Sequence, residues 1–410
     1  MVMKAKQKLA GFTLIELMIA MAVTLILLYA AVLAFRDAAR TNQVVTLNAD
    51  MADNLRASLN MITTDLQQAG SGIPIGGIPI PYTSNNSTTA PCSTAVALVR
   101  PKLGGTTTFP QCNSTLPSVE PGNALGPLVT APDATAGVPS NPNSFTDEIT
   151  VIYADNLGLD STPINAASTP ASPPTPANPG CPNGSLTLSG TTVTATFDGA
   201  TMNPTTGTYN CVNFVNQGIT INVGDLMMFT NTNGTALLAV TGVNGQTVTF
   251  AEGDPFGLNG TGDTQGTINY IQTGGNASCG GTNACFANTT VTRIWMVSYY
   301  LDNVTSPPYV RLIRQVGLGT ATPVGETLEN LQFTYNFIDG ATNPSGQATI
   351  PAGDSESQIM LVNVYLAARS TYAELSNTGA DPYGKGTGMF GRDNLMTQVS
   401  IRSNAYTNPY

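Results

Sequence analysis

The sequence predicts an α+β protein in which one long amino-terminal helix carries a large antiparallel β-rich domain. Three observations predict this. Residues Phe12–Phe35 form an apolar run of 24 positions broken by a single charge, Glu16. Apolar residues then recur at helical spacing from Val44 to Leu66. Beyond Gly70, stretches rich in Gly, Pro, Ser, Thr and Asn separate short runs of strand-forming residues.

The first element is residues 1–11, MVMKAKQKLAG, a short basic segment ending in a small residue. The second, residues 12–35, would span about 36 Å as a helix, enough to cross a bilayer. The lysines before the run, with no matching basic cluster after it, put the amino end in the cytoplasm and everything after Arg36 outside. An ordinary secretory signal has an apolar part of only about 7–15 residues, with its cut after that part. An uncleaved anchor would show the same run, and Glu16 separates the two readings. A carboxylate within a bilayer helix costs several kcal/mol unless paired or neutralised. A cut before Phe12 would create an α-amino group four residues upstream of Glu16. Glu16 of one chain and that amine of a neighbour would then form a matched pair that exists only after processing.

The string Gly11-Phe12-Thr13-Leu14-Ile15-Glu16, between a basic leader and an apolar run, resembles the processing site of type IV prepilins and type II secretion pseudopilins. The resemblance implies that a prepilin peptidase cuts after Gly11, that Phe12 becomes N-methylated and that Glu16 helps dock the subunit into a filament. It implies other major and minor pilins and an inner-membrane assembly platform as partners. The precursor would wait in the inner membrane and later move to the pilus or cell surface.

The third element, residues 36–69, continues the helix with its stripe Val44, Leu47, Met51, Leu55, Leu59, Ile62 and Leu66, and Asp50, Asp53, Arg56 and Asp65 are expected largely off it. Gly70 offers a left-handed cap and Pro74 stops continuation. Residues 70–410 form the outer domain, with loop-rich insertions at about 71–146 and 160–184. Strands are expected at 148–154, 186–197, 225–230, 236–240, 247–251, 291–301, 309–316, 328–337, 358–367 and 395–402. The segments around Gly224–Met228, Leu312–Arg314, Leu328–Tyr335 and Leu366–Ser370 resemble, in their order, PilW-type minor pilins, relatives of the type II secretion pseudopilin GspJ. This implies a type IV pilin-like fold and a role in starting or capping a pilus near its tip. A tip adhesin using the insertions and a minor pseudopilin are the alternatives.

Composition narrows the function. The chain has no histidine, which excludes Ser-His-Asp and Cys-His catalysis and histidine metal sites. It has no Gly-x-Ser-x-Gly elbow, and no catalytic residues, cofactor or metal are expected. Without Lys4, Lys6 and Lys8 the 15 basic residues fall to 12 against 25 acidic ones, a net charge of −13. So acidic a chain lacks the basic footprint of a nucleic-acid binder. Six cysteines, Cys92, Cys112, Cys181, Cys211, Cys279 and Cys285, all follow the apolar run, and an even number outside the cytoplasm reads as disulfides. Sequential pairing is expected, most of all Cys279 with Cys285. The last cysteine lies far from Tyr410, unlike the carboxyl-terminal disulfide loop of major type IVa pilins. Gly386-x-Gly388-x-x-Gly391 reads as a turn rather than a nucleotide loop. Residues 155–160 and 259–263 hold oxygen ligands of the kind calcium takes, and solvated turns carry the same residues.

Overall fold

The computed structural model describes residues 13–81, 99–102, 105–108, 115–122, 146–155, 163–166, 185–189, 192–196, 199–202, 209–212, 220–244, 247–260, 265–273, 289–302, 310–338, 350, 355–370 and 392–401. The stalk helix runs unbroken from Leu14 to Gln68, 55 residues without a glycine or proline. That is about 82 Å of helix. Thr13 caps its start, and the hydroxyls of Thr24, Thr41 and Thr46 donate to carbonyls four residues back, satisfying themselves within the helix. At the far end Gly70 takes a left-handed φ of 77°. Its N–H does not close the helix but is donated to the Ile152 carbonyl at 2.8 Å, which ties the helix end to a strand.

The outer domain is organised around the strand Thr289–Asp302. One side of it pairs with Leu226–Asn231 along its first half and with Arg311–Val316 along its second. Glu148–Ala154 pairs with its other side. All three pairings are antiparallel and belong to a 12-stranded sheet. Alternation splits side chains between two cores: Met227 and Phe229 join Phe250, Ile268 and Ile271, whereas Leu226 and Met228 join Ile78, Ile152 and Phe256.

A separate three-stranded antiparallel sheet, Leu328–Phe337, Ile359–Arg369 and Arg392–Ser400, lies against the helix. Its inward residues Phe333, Tyr335, Val364 and Leu366 meet Met51, Leu55, Ile62 and Leu66 in the largest core. Asp147 joins this sheet to the large one, donating its N–H to the Leu331 carbonyl at 2.9 Å and accepting the Phe333 N–H on its carboxylate at 2.8 Å. The outward face carries an uncharged row: Gln398 donates to Asn363, and Asn363 donates to Thr334 and Asn336.

The expected strand 186–197 is instead a hairpin of Ser185–Ser189 and Thr192–Thr196, with the Ser-Gly turn signal of Ser189-Gly190 at the break. The strand Thr322–Glu326 was not anticipated. Its Pro323 and Gly325 are poor strand formers, and pairing with Arg311–Val316 overrides that preference.

Candidate functional site: the stalk helix and its anchor

The helix divides into two regions. From Leu14 to Gln43 every side chain is exposed, including Leu25, Ile26, Leu28, Tyr29 and Phe35, the last at 76 %. No described part of the outer domain covers this apolar surface, and the helix is long and apolar enough to cross a membrane. The helix is continuous here because its backbone bonds are internal and its many Ala, Leu and Met side chains are good helix formers.

Glu16 sits in the first turn. The Thr13 hydroxyl accepts the Glu16 N–H, and the Glu16 carboxylate accepts the Thr13 N–H and hydroxyl, each at 2.9 Å. This is a capping box, in which two helix-terminal donors are satisfied reciprocally. The carboxylate therefore has partners within its own chain, a feature the sequence reading missed; the Thr-x-x-Glu spacing was its signal. Gly11 and Phe12 lie outside the described residues.

From Met51 onward one face of the helix is buried. Met51, Leu55, Ser58, Ile62, Asp65 and Leu66 all face the domain. Asp65, expected off the stripe, is a correction: it is buried with 5 % of its surface exposed. Its carboxylate accepts from Tyr153 at 3.0 Å, from Tyr299, and from Arg314 Nε at 2.8 Å. The donors come from three strands, so one carboxylate in the last helical turn gathers the centre of the large sheet. Burial pushes the Tyr153 and Tyr299 hydroxyls well above their ordinary range, and the Asp65 charge adds to this. Burial acts to lower the Arg314 pKa, and the Asp65 bond and charge outweigh it, so the net shift is upward. Both tyrosines thus stay protonated donors, and Arg314 stays a cation.

A second buried ion pair joins Arg293 to Asp155, with Nε at 2.7 Å. Arg293 also donates to the Thr220 carbonyl at 2.8 Å and stacks over Trp295 at 4.8 Å. Asp155 is thereby engaged by the chain's own cation. Asn259 accepts from the Ala239 N–H and donates to the Ala239 and Ala251 carbonyls. The two calcium-type stretches therefore use their described residues as structural turn partners. No group of three or more acidic or cysteine residues suited to a metal occurs among the described residues.

Cys211 lies on the strand Tyr209–Val212, opposite Ala200 in a two-stranded sheet. Cys92, Cys112, Cys181, Cys279 and Cys285, and the glycines at 386–391, lie outside the described residues.

Residues 6–32 match the family model of the prokaryotic N-terminal methylation motif. The chain carries a prepilin-type signal. The match takes in Gly11, Phe12 and Glu16 and most of the exposed apolar run. No curated protein matches the chain. Among solved structures, a type IV-like pilin from Thermus thermophilus is similar at 12 % identity over 44 % of this chain and 86 % of that one, with a TM-score of 0.18, a likeness too slight to argue from.

Proposed function

We propose that the chain is a structural subunit of a pilus-type fibre, processed by prepilin peptidase between Gly11 and Phe12, and specifically a PilW-type minor pilin that helps start or cap assembly near the tip. The observation that carries the subunit role is the exposed apolar helix from Leu14 to Phe35, most of it within the methylation motif. Such a surface needs lipid before assembly and neighbouring helices after it. Assembly exchanges one apolar surrounding for another. Glu16 moves from its Thr13 partners to the methylated amine of a neighbour, which the basic leader denies it until the cut is made. Minor status and a tip position are supported by the bulk of residues 70–410, about 20 Å in radius of gyration, which would crowd a tightly wound shaft.

The test is the intact mass and amino-terminal sequence of the protein from sheared fibres and from membranes, with and without the peptidase. A chain starting at methylated Phe12, absent when the peptidase is absent, is expected. A chain starting near Met1, or cut after Phe35, would overturn the reading. Antibody label spaced along the shaft would overturn the tip position alone.

A further inference from the structure

The buried stripe of the stalk helix has a property that apolar packing alone leaves unresolved. Its residues repeat at intervals of four and three: Met51, Leu55, Ser58, Ile62, Asp65 and Leu66. A slide of four residues toward the membrane, about 6 Å, would carry Leu55, Leu59, Ile62 and Leu66 into the places of Met51, Leu55, Ser58 and Ile62. Leu59 already packs at the margin of this core. Apolar contacts are non-directional, so three of the four places would accept their new occupants.

Two polar residues break the degeneracy. Ser58 is fully buried, and its hydroxyl finds no hydrogen-bond partner among the described residues. Its size is what matters: a Cβ on Gly325 would stand 2.0 Å from Ser58 Oγ, so helix and strand touch closely there. Ile62, a larger side chain, would enter that place only by pushing the Gly325 strand away from the helix. Asp65 supplies the second check, because a one-turn slide would withdraw its carboxylate from Tyr153, Tyr299 and Arg314 together. Arg314 would be left partly buried without its counter-charge.

We propose that Ser58 and Asp65 are positioning residues that set the axial register of the stalk helix on the outer domain. This rests on the subunit reading for its use. Glu16 and Asp65 are 49 residues apart on one unbroken helix, the difference of their numbers, or about 74 Å. The docking carboxylate is thereby held at a fixed height below the outer domain. Whatever stagger Glu16 imposes between neighbours is then reproduced between their domains, and a slipped helix would misplace a domain by a full turn. A buried polar group that fixes register, at some expense of stability, is the best-attested use of such groups.

The test uses the full precursor in detergent micelles, with spin labels on non-natural amino acids so that the cysteines are untouched. One pair joins exposed Gln67 to Thr320, the other exposed Asn60 to Ser400. The unsubstituted chain is expected to give one narrow distance for each pair. Asp65→Leu with Arg314→Met should add a second population in at least one pair, consistent with an axial shift of about 6 Å. Asp65→Asn, whose amide oxygen still accepts from the tyrosines, should keep a single population. Apolar replacement of a buried pair is often tolerated, and Trp295 fluorescence checks the fold. Should the double variant not fold, Tyr153→Phe with Tyr299→Phe removes two donors and is read the same way, by a second population. A single unchanged distance in a folded variant would overturn the proposal and leave the Gly70 and Ser71 bonds to the Ile152 and Ala154 backbone as the register device. Because the sample is purified precursor, this outcome is independent of whether the chain enters a fibre, which amino-terminal sequencing decides separately.

Discussion

The two regions of the stalk helix share one backbone geometry and differ in everything that surrounds it. Leu14–Gln43 is apolar over most of its length and is exposed throughout, whereas Met51–Gln68 is amphipathic and buries one face under two sheets. The first region is a helix by propensity and internal bonding and owes nothing to the domain. The second is a helix whose side chains are matched to particular partners. A surface without a partner in its own chain is waiting for one; a surface with partners is already used.

Substitutions on either side should separate these regimes. The largest effect is expected at the anchor. Asp65→Ala removes the counter-charge of Arg314 and the carboxylate acceptor of Tyr153, leaves Tyr299 with the Met61 carbonyl and Arg314 as its remaining partners, and should destabilise the domain by about 3–5 kcal/mol, read from urea unfolding followed by Trp295 fluorescence. Equal stability of this variant and the parent would mean that the anchor is solvated rather than buried. Leu66→Ala should cost about 2–5 kcal/mol on the same scale. Leu28→Ala, a chemically identical truncation in the exposed region, should leave domain unfolding unchanged. If both truncations lowered stability alike, the division of the helix would be wrong.

The junction between the sheets gives a pH effect of intermediate size. Burial pushes the Asp147 carboxyl up to about 7, and the Phe333 N–H it accepts only partly opposes this. The folded state then holds the proton more tightly than the unfolded one, so this group's contribution is full below about pH 4 and is lost as pH rises through 7. Asp147→Asn keeps the acceptor and removes the titration. It should flatten the stability profile between pH 4 and pH 8 and be more stable than the parent at the upper end. An unchanged profile would show that Asp147 is solvated. The smallest effect is at the cap: Thr13→Val removes the hydroxyl that accepts the Glu16 N–H and should weaken the first helical turn by about 1 kcal/mol. Amide exchange of Leu14–Leu17 should quicken while that of Ile62–Leu66 stays unchanged.

Much of the architecture is legible in the sequence because it rests on local periodicity. The apolar run, the helical stripe and strands such as Leu328–Phe337 need only neighbours in the chain to be recognised. The anchor was missed for the opposite reason. Asp65 finds its partners 88, 234 and 249 residues away, and a lone aspartate on a helix ordinarily faces water. Its spacing, three residues beyond Ile62 and seven beyond Ser58, puts it on the stripe all the same. The expected single strand at 186–197 missed the hairpin at 185–196 because its serines and threonines alternate with apolar residues on both sides of the break, so period alone cannot see the turn.

The row Thr334, Asn336, Asn363 and Gln398 on the outward face of the three-stranded sheet carries no formal charge. Exposed ion pairs fade as ionic strength rises, because mobile ions shorten the reach of each charge to about 8 Å in physiological salt and about 3 Å at 1 M. Amide and hydroxyl dipoles have no net charge for such ions to screen. The hydrogen bonds of this row therefore hold alike in fresh water and in brine.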